Sequence, residues 1–147
     1  MSMASFPSTL TPDYHPGRQP AITILAVTPH AGDRISLEGI LGSRWWQLVA
    51  VSNLKEALAC VQEHDVSVVI CERDLPDGSW HALLEALAEI PDRPKLIVCS
   101  RLADHGLWAE VLNLGGYDVL MAPFDQEEVQ RVVSLAAGRS TSGCVLV

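Results

Sequence analysis

The chain has 147 residues, 48% of them hydrophobic and 19% charged, a balance that fits one domain with a filled core and excludes global disorder. Its formal net charge of −8 argues against broad contact with a nucleic-acid backbone, so no direct nucleic-acid partner is expected. Cys60, Cys71, Cys99 and Cys144 include no CxxC pair, so neither a zinc knuckle nor a thioredoxin-type site is supported, and buried, reduced thiols are expected. No apolar run approaches the ~20 residues that span a bilayer, and no membrane contact is expected. The opening MSMASFPSTL lacks the basic and apolar regions of a secretory signal, so the expected compartment is the cytoplasm.

Residues 1–20 are rich in proline, serine and threonine and read as a flexible tail. Ala21 to Thr28 (AITILAVT) is a first strand, apolar enough to be central. A loop over Pro29–Gly32 follows. Asp33 is placed to cap a helix that runs to about Leu41, with Ile35, Leu37, Ile40 and Leu41 as its apolar residues. Trp46 to Val51 is a second strand, and Asn53 caps a helix with Leu54, Ala57, Leu58 and Val61 on one face.

Asp65 to Gly78 (DVSVVICERDLPDG) is a third buried strand, stopped by the turn chemistry of Pro76, Asp77 and Gly78. Ser79 opens a helix with Leu83, Leu84, Leu87 and Ile90 inside. Lys95 to Cys99 is a fourth strand. Asp104 opens a helix that Gly115 and Gly116 close. Tyr117 to Met121 is a fifth strand, and Asp125 caps a last helix with Val129, Val132, Val133 and Ala136 on one face. Gly138 ends it, and residues 139–147 form a second tail.

Alternation of this kind predicts an α/β fold with a parallel sheet covered on both faces, in one domain over residues 21–138. In such sheets ligands sit beyond the carboxyl ends of the strands. Glu72 and Asp74 fall there, and the chemistry is expected near Glu72.

ILAV in the first strand, DVSVVICERDLPDG at the third, PKLIVCS at the fourth and LGGYDVLMAPF at the fifth together resemble the receiver domain of bacterial response regulators. LPDG and the Pro123–Phe124 pair are moderately specific when found together. The resemblance implies a flavodoxin-like, doubly wound three-layer fold with strand order 2-1-3-4-5. It also implies phosphoryl transfer from a histidine kinase to an aspartate. That chemistry uses an acidic pair that helps bind Mg²⁺, a Ser or Thr, and a lysine; metal and ammonium neutralise charge on the moving group.

This chain departs from that pattern at four of five positions. Thr28 and Pro29 stand where the acidic pair belongs, Glu72 replaces the acceptor aspartate, and Ala122 replaces the lysine. Only Ser100 matches. Val119 occupies the position of a switching Tyr or Phe. Glu72 also carries its carboxylate about 1.5 Å further than aspartate would, enough to spoil an in-line geometry. The pocket Thr28, Pro29, Glu72, Asp74, Ser100 and Ala122 is therefore read as degenerate, with no catalytic residue, no metal and no cofactor.

Arg101 and Arg73 are candidate replacement cations, and Arg101 could pair with Glu72 through a bidentate fork. Glu72 could mimic a phosphorylated aspartate. His30, Glu72 and Asp74 are the residues a transition metal would need. Trp45 and Trp46 should point to opposite faces, and an exposed Trp108 would be a binding anchor.

The expected function is a non-enzymatic, receiver-like module in bacterial two-component signalling. It would act by protein–protein contact without aspartyl phosphorylation. Its partner would be a histidine kinase, another regulator, an effector or a second copy, reached through the face from the fourth to the fifth helix with Trp108 and Val119. The alternatives are an altered phospho-acceptor using Glu72 or Asp74, and a small-ligand sensor.

Overall fold

The computed structural model describes residues 22–42 and 46–138. In chain order it holds β1 (Ile22–Val27), α1 (Ala31–Leu41), β2 (Trp46–Val51), α2 (Leu54–Glu63), β3 (Val66–Glu72), α3 (Trp80–Leu87), β4 (Lys95–Ser100), α4 (His105–Leu114), β5 (Asp118–Met121) and α5 (Gln126–Ala136). A two-residue antiparallel ribbon, Asp74–Leu75 with Gly78–Ser79, follows β3. The tails expected at 1–20 and 139–147, and Trp45, lie outside the described residues.

Successive side chains on a strand enter opposite layers, and the apolar runs of the central strands exist because both layers are filled. In β1, Leu25 and Val27 join Ala57, Val61, Trp80 and Leu83 under α2 and α3. Ile24 and Ala26 join Leu37, Leu41, Val129 and Val133 under α1 and α5. All four pairings of the main sheet are parallel, in the order β2-β1-β3-β4-β5. The fold is the flavodoxin-like one expected.

Three predicted caps form. Asn53 accepts from the Glu56 N–H (2.8 Å), Asp104 from the Leu107 N–H (2.9 Å) and Asp125 from the Glu128 N–H (2.9 Å). Ser79 precedes α3 but its hydroxyl meets His81 Nδ1 at 3.3 Å instead of the backbone. Gly115 ends α4 with φ +107°, the left-handed conformation that a side chain would strain. Cys60, Cys71 and Cys99 are buried free thiols.

The first helix differs from expectation. It begins at Ala31, inside the predicted loop, with His30 as N-cap residue. Asp33 lies in the first turn, buried, and caps nothing. Ile35 is 67% exposed, because the stripe facing the sheet runs through Leu37 and Leu41, both fully buried. Truncating Leu37 to alanine is expected to cost about 2–5 kcal/mol and truncating Ile35 no more than ~0.5 kcal/mol. Urea denaturation of the two variants measures the contrast.

Candidate functional site

The parallel register brings Val27, Val51, Glu72, Ser100 and Met121, the last residues of the five strands, to one edge of the sheet. The site is built there by the chain segments that leave β1, β3, β4 and β5.

After β1, the buried Thr28 hydroxyl accepts from the His30 N–H (3.1 Å), and its carbonyl accepts from Arg34 Nη1 (2.8 Å). These bonds bend the chain into α1, which explains a helix start that no side-chain cap marks. Pro29 lies half-buried between them. One turn on, the Asp33 side chain is only 4% exposed, and both its oxygens are taken by Arg101: Nη2 to Oδ1 at 2.9 Å, Nη1 to Oδ2 at 3.1 Å. Arg101 follows β4 directly. Its fork therefore closes on Asp33 and not, as the sequence suggested, on Glu72. A buried aspartate one turn into α1 presents two oxygens in the plane the guanidinium requires.

Glu72, at the end of β3, is buried, and its Oε1 has no hydrogen-bond partner. The ring of His30 faces it with Nε2 4.0 Å from Oε1, too far to bond. Burial pushes the Glu72 carboxyl above the ordinary carboxylate range. The Asp33 charge adds to that rise, while His30, the Arg73 backbone N–H and Arg101 oppose it. Ser100, also buried, accepts from the Leu102 N–H on its hydroxyl oxygen (3.0 Å), and Ala122 contributes only a buried methyl.

Asp74 stands apart. It is exposed in the short ribbon and bonded to Arg73, with Nη2 and Nε each 3.0 Å from Oδ2. Neither enters the pocket, so His30, Glu72 and Asp74 are not assembled around an ion. Among the described residues no group of three His, Cys, Asp or Glu side chains is arranged to hold a metal. A magnesium ion needs several oxygen ligands in near-octahedral array. With Asp33 committed to Arg101, the buried carboxylate oxygen left uncommitted is Oε1 of Glu72. That donor set does not fit the ion.

One contact escaped the sequence. The Asp77 carboxylate reaches across to the start of α2 and accepts from the Leu54 (2.8 Å) and Lys55 (3.1 Å) N–H groups. Those donors hold it below its ordinary value. Its Pro-Asp-Gly context signals a turn, and nothing local signals the helix 22 residues earlier.

A second feature lies on the neighbouring face. Trp108 of α4 is 47% exposed and Met121 53% exposed, and with Val119 they line a groove of about 370 Å³ between α4, β5 and the start of α5. Trp108 and Val119 thus share one surface. Trp80, in contrast, is buried in the core, and Trp46 is half-buried against the layer under α1 and α5.

The profile of the response regulator receiver domain matches residues 24–134. The chemotaxis protein CheY of Bacillus subtilis is 22% identical over 112 residues, covering 76% of this chain and 93% of that protein. A two-component response regulator of rice, ORR5, is 29% identical over 115 residues, covering 76% and 85%. Among solved structures, a putative response regulator of Chloroflexus aurantiacus superposes with a TM-score of 0.74 at 20% identity, over 81% of this chain and 99% of that one. The receiver domain of a Pseudomonas aeruginosa sensor histidine kinase, solved with a magnesium ion coordinated in its active-site cleft, superposes with a TM-score of 0.71 at 20% identity, over 80% and 98%.

Two outcomes follow from the geometry. Replacing Arg101 by methionine strands a buried carboxylate and is expected to cost about 1–3 kcal/mol, most of which returns when Asp33→Asn is added. Denaturation of the two single variants and the double variant gives the coupling. Because the folded state holds the Glu72 proton more tightly than the unfolded chain does, this group's stability contribution is complete below the ordinary carboxylate value. It is lost as pH rises through the raised value. Glu72→Gln should therefore gain stability over the parent as pH climbs from the ordinary carboxylate value through the raised one. A difference that stays constant across that range would contradict it.

Proposed function

The chain belongs to the response regulator receiver domain family, and we propose that within it this is a pseudo-receiver, one that signals by protein contact without aspartyl phosphorylation. Receiver domain of a two-component response regulator is the established part. The loss of phosphoryl chemistry is our reading, and the bidentate Asp33–Arg101 pair carries it.

In the family pocket, charge on the phosphoryl group is neutralised by a bound metal and a lysine ammonium. Here the acceptor position holds Glu72, the lysine position holds a buried methyl, and the pocket's guanidinium is already neutralised by a buried aspartate. An arriving phosphoryl group would meet neither the lysine nor the metal-holding acidic pair of the family pocket, and it would face the carboxylates of Asp33 and Glu72. The Ser100 hydroxyl oxygen accepts from the Leu102 N–H of its own turn, and its O–H is the one family contact that remains. Permanent phosphomimicry by Glu72 lacks support for the same reason: its reader, Arg101, is held elsewhere.

The output of this module runs through the α4–β5–α5 face with Trp108 and Val119, toward a kinase, regulator or effector. Val119 carries no ring whose rotation could relay a pocket event. A static pocket and a fixed face are consistent with each other. The proposed module is non-enzymatic. No helix among the described residues is long and apolar enough to cross a membrane, and the cytoplasm is its proposed compartment.

Incubation of the full chain with acetyl phosphate and Mg²⁺, followed by intact-mass measurement, is expected to leave the mass unchanged. A stoichiometric gain of one phosphoryl group on Glu72 or Asp74 would establish the altered phospho-acceptor instead.

A further inference from the structure

The groove beside Trp108 has a one-sided electrostatic setting. From Asp104 to Ala136, the stretch that forms α4, β5 and α5, the chain carries six carboxylates and a single Lys or Arg residue, Arg131. More than half of the net charge of −8 thus sits in less than a quarter of the sequence. Asp104 and Glu128 border the groove itself, and Asp125 and Glu127 stand exposed at the adjoining start of α5. The floor is apolar: Trp108, Val119 and Met121. His105 is the one basic side chain at the rim.

Self-complementarity fails on such a surface. A twofold pairing would lay this patch against its own copy, carboxylates facing carboxylates, with Arg131 alone to offset them. Like charges brought together in an interface are costly, and opposite charges steer association. An exposed tryptophan next to a methionine, rimmed by acid, fits a segment that brings an apolar anchor flanked by Arg or Lys. Nucleic acid and anionic lipid carry the wrong sign.

Building on the reading of this face as the output surface, we propose that it docks a basic segment of a partner protein that carries an apolar anchor, and does not pair with a second copy of itself.

The test uses the full chain and two labelled amphipathic peptides. One has leucines on one face and arginines on its flanks; the other carries glutamates in place of the arginines. Fluorescence anisotropy should report binding of the first and none of the second, weakening several-fold or more between about 0.05 and 0.5 M salt. Trp108→Ala and the pair Glu127→Lys with Glu128→Lys should each weaken it about tenfold or more, with circular dichroism verifying the fold. Glu38→Lys with Glu63→Lys, on exposed positions of α1 and α2, should leave it near the parent value; this separates docking from general attraction to an acidic protein. Sedimentation equilibrium should give a monomer. No binding of the basic peptide, equal binding of both, or binding indifferent to the Trp108 and Glu127/Glu128 variants overturns the proposal. A dimer that Trp108→Ala dissociates overturns the partner chemistry while leaving the face as the output surface. If Trp108→Ala changes neither peptide binding nor assembly, the reading of the face falls too.

Discussion

A carboxylate taken out of water must find a cation or a set of donors, and the structure around the strand ends is arranged by that need. Asp33 is almost wholly enclosed, and isolation would cost it several kcal/mol. Arg101 meets both oxygens in the fork geometry that suits them. Because one partner sits in the first turn of α1 and the other in the segment leaving β4, the pair ties two edges of the pocket together. The remaining polar groups bond locally: Thr28 at the entry to α1, Ser100 at the turn that leads toward α4. What is left over is one oxygen of Glu72, buried and unbonded, a cost the fold carries without visible return.

This arrangement bears on how a signal could pass. The segment held by Arg101 runs within three residues into Asp104, which caps α4, and α4 carries Trp108. In a pocket whose charges can be rearranged by a ligand, such a connection would transmit. In this one the guanidinium is matched by Asp33, and on the proposed reading the same connection holds α4 and its tryptophan in one place. On the proposed reading, control would come from the amount or availability of a partner and not from a covalent event.

Much of the fold was legible because its causes are local or periodic. ILAV, SVVIC and LIVCS read as central strands since two filled layers require apolar residues on both sides. Asn53, Asp104 and Asp125 announced their helices through cap chemistry that acts within three residues. The same rule failed at Asp33, where an acidic residue near a helix start looked like a cap but the hydroxyl of Thr28 had already turned the chain. Which of the apolar residues of α1 would face inward was not legible, because a short helix admits more than one apolar stripe and only the sheet chooses Leu37 and Leu41 over Ile35. Strand order came from resemblance, not from spacing. The partner of Arg101 was out of reach of any local rule: it lies 68 residues away, and Glu72 was the carboxylate that the sequence offered. Asp77 and the start of α2 are a similar case.

The thiols next to Glu72 lead somewhere else. Cys71 and Cys99 sit on adjacent central strands, fully enclosed, and burial, helped by the Glu72 charge, keeps them protonated far above the ordinary thiol value. A thiolate-seeking reagent therefore has no route to either sulfur while the sheet is closed. Cys71 faces the layer under α2 and α3 and Cys99 the layer under α1 and α5, so the alkylation of each becomes a clock for the opening of its own side of the sheet.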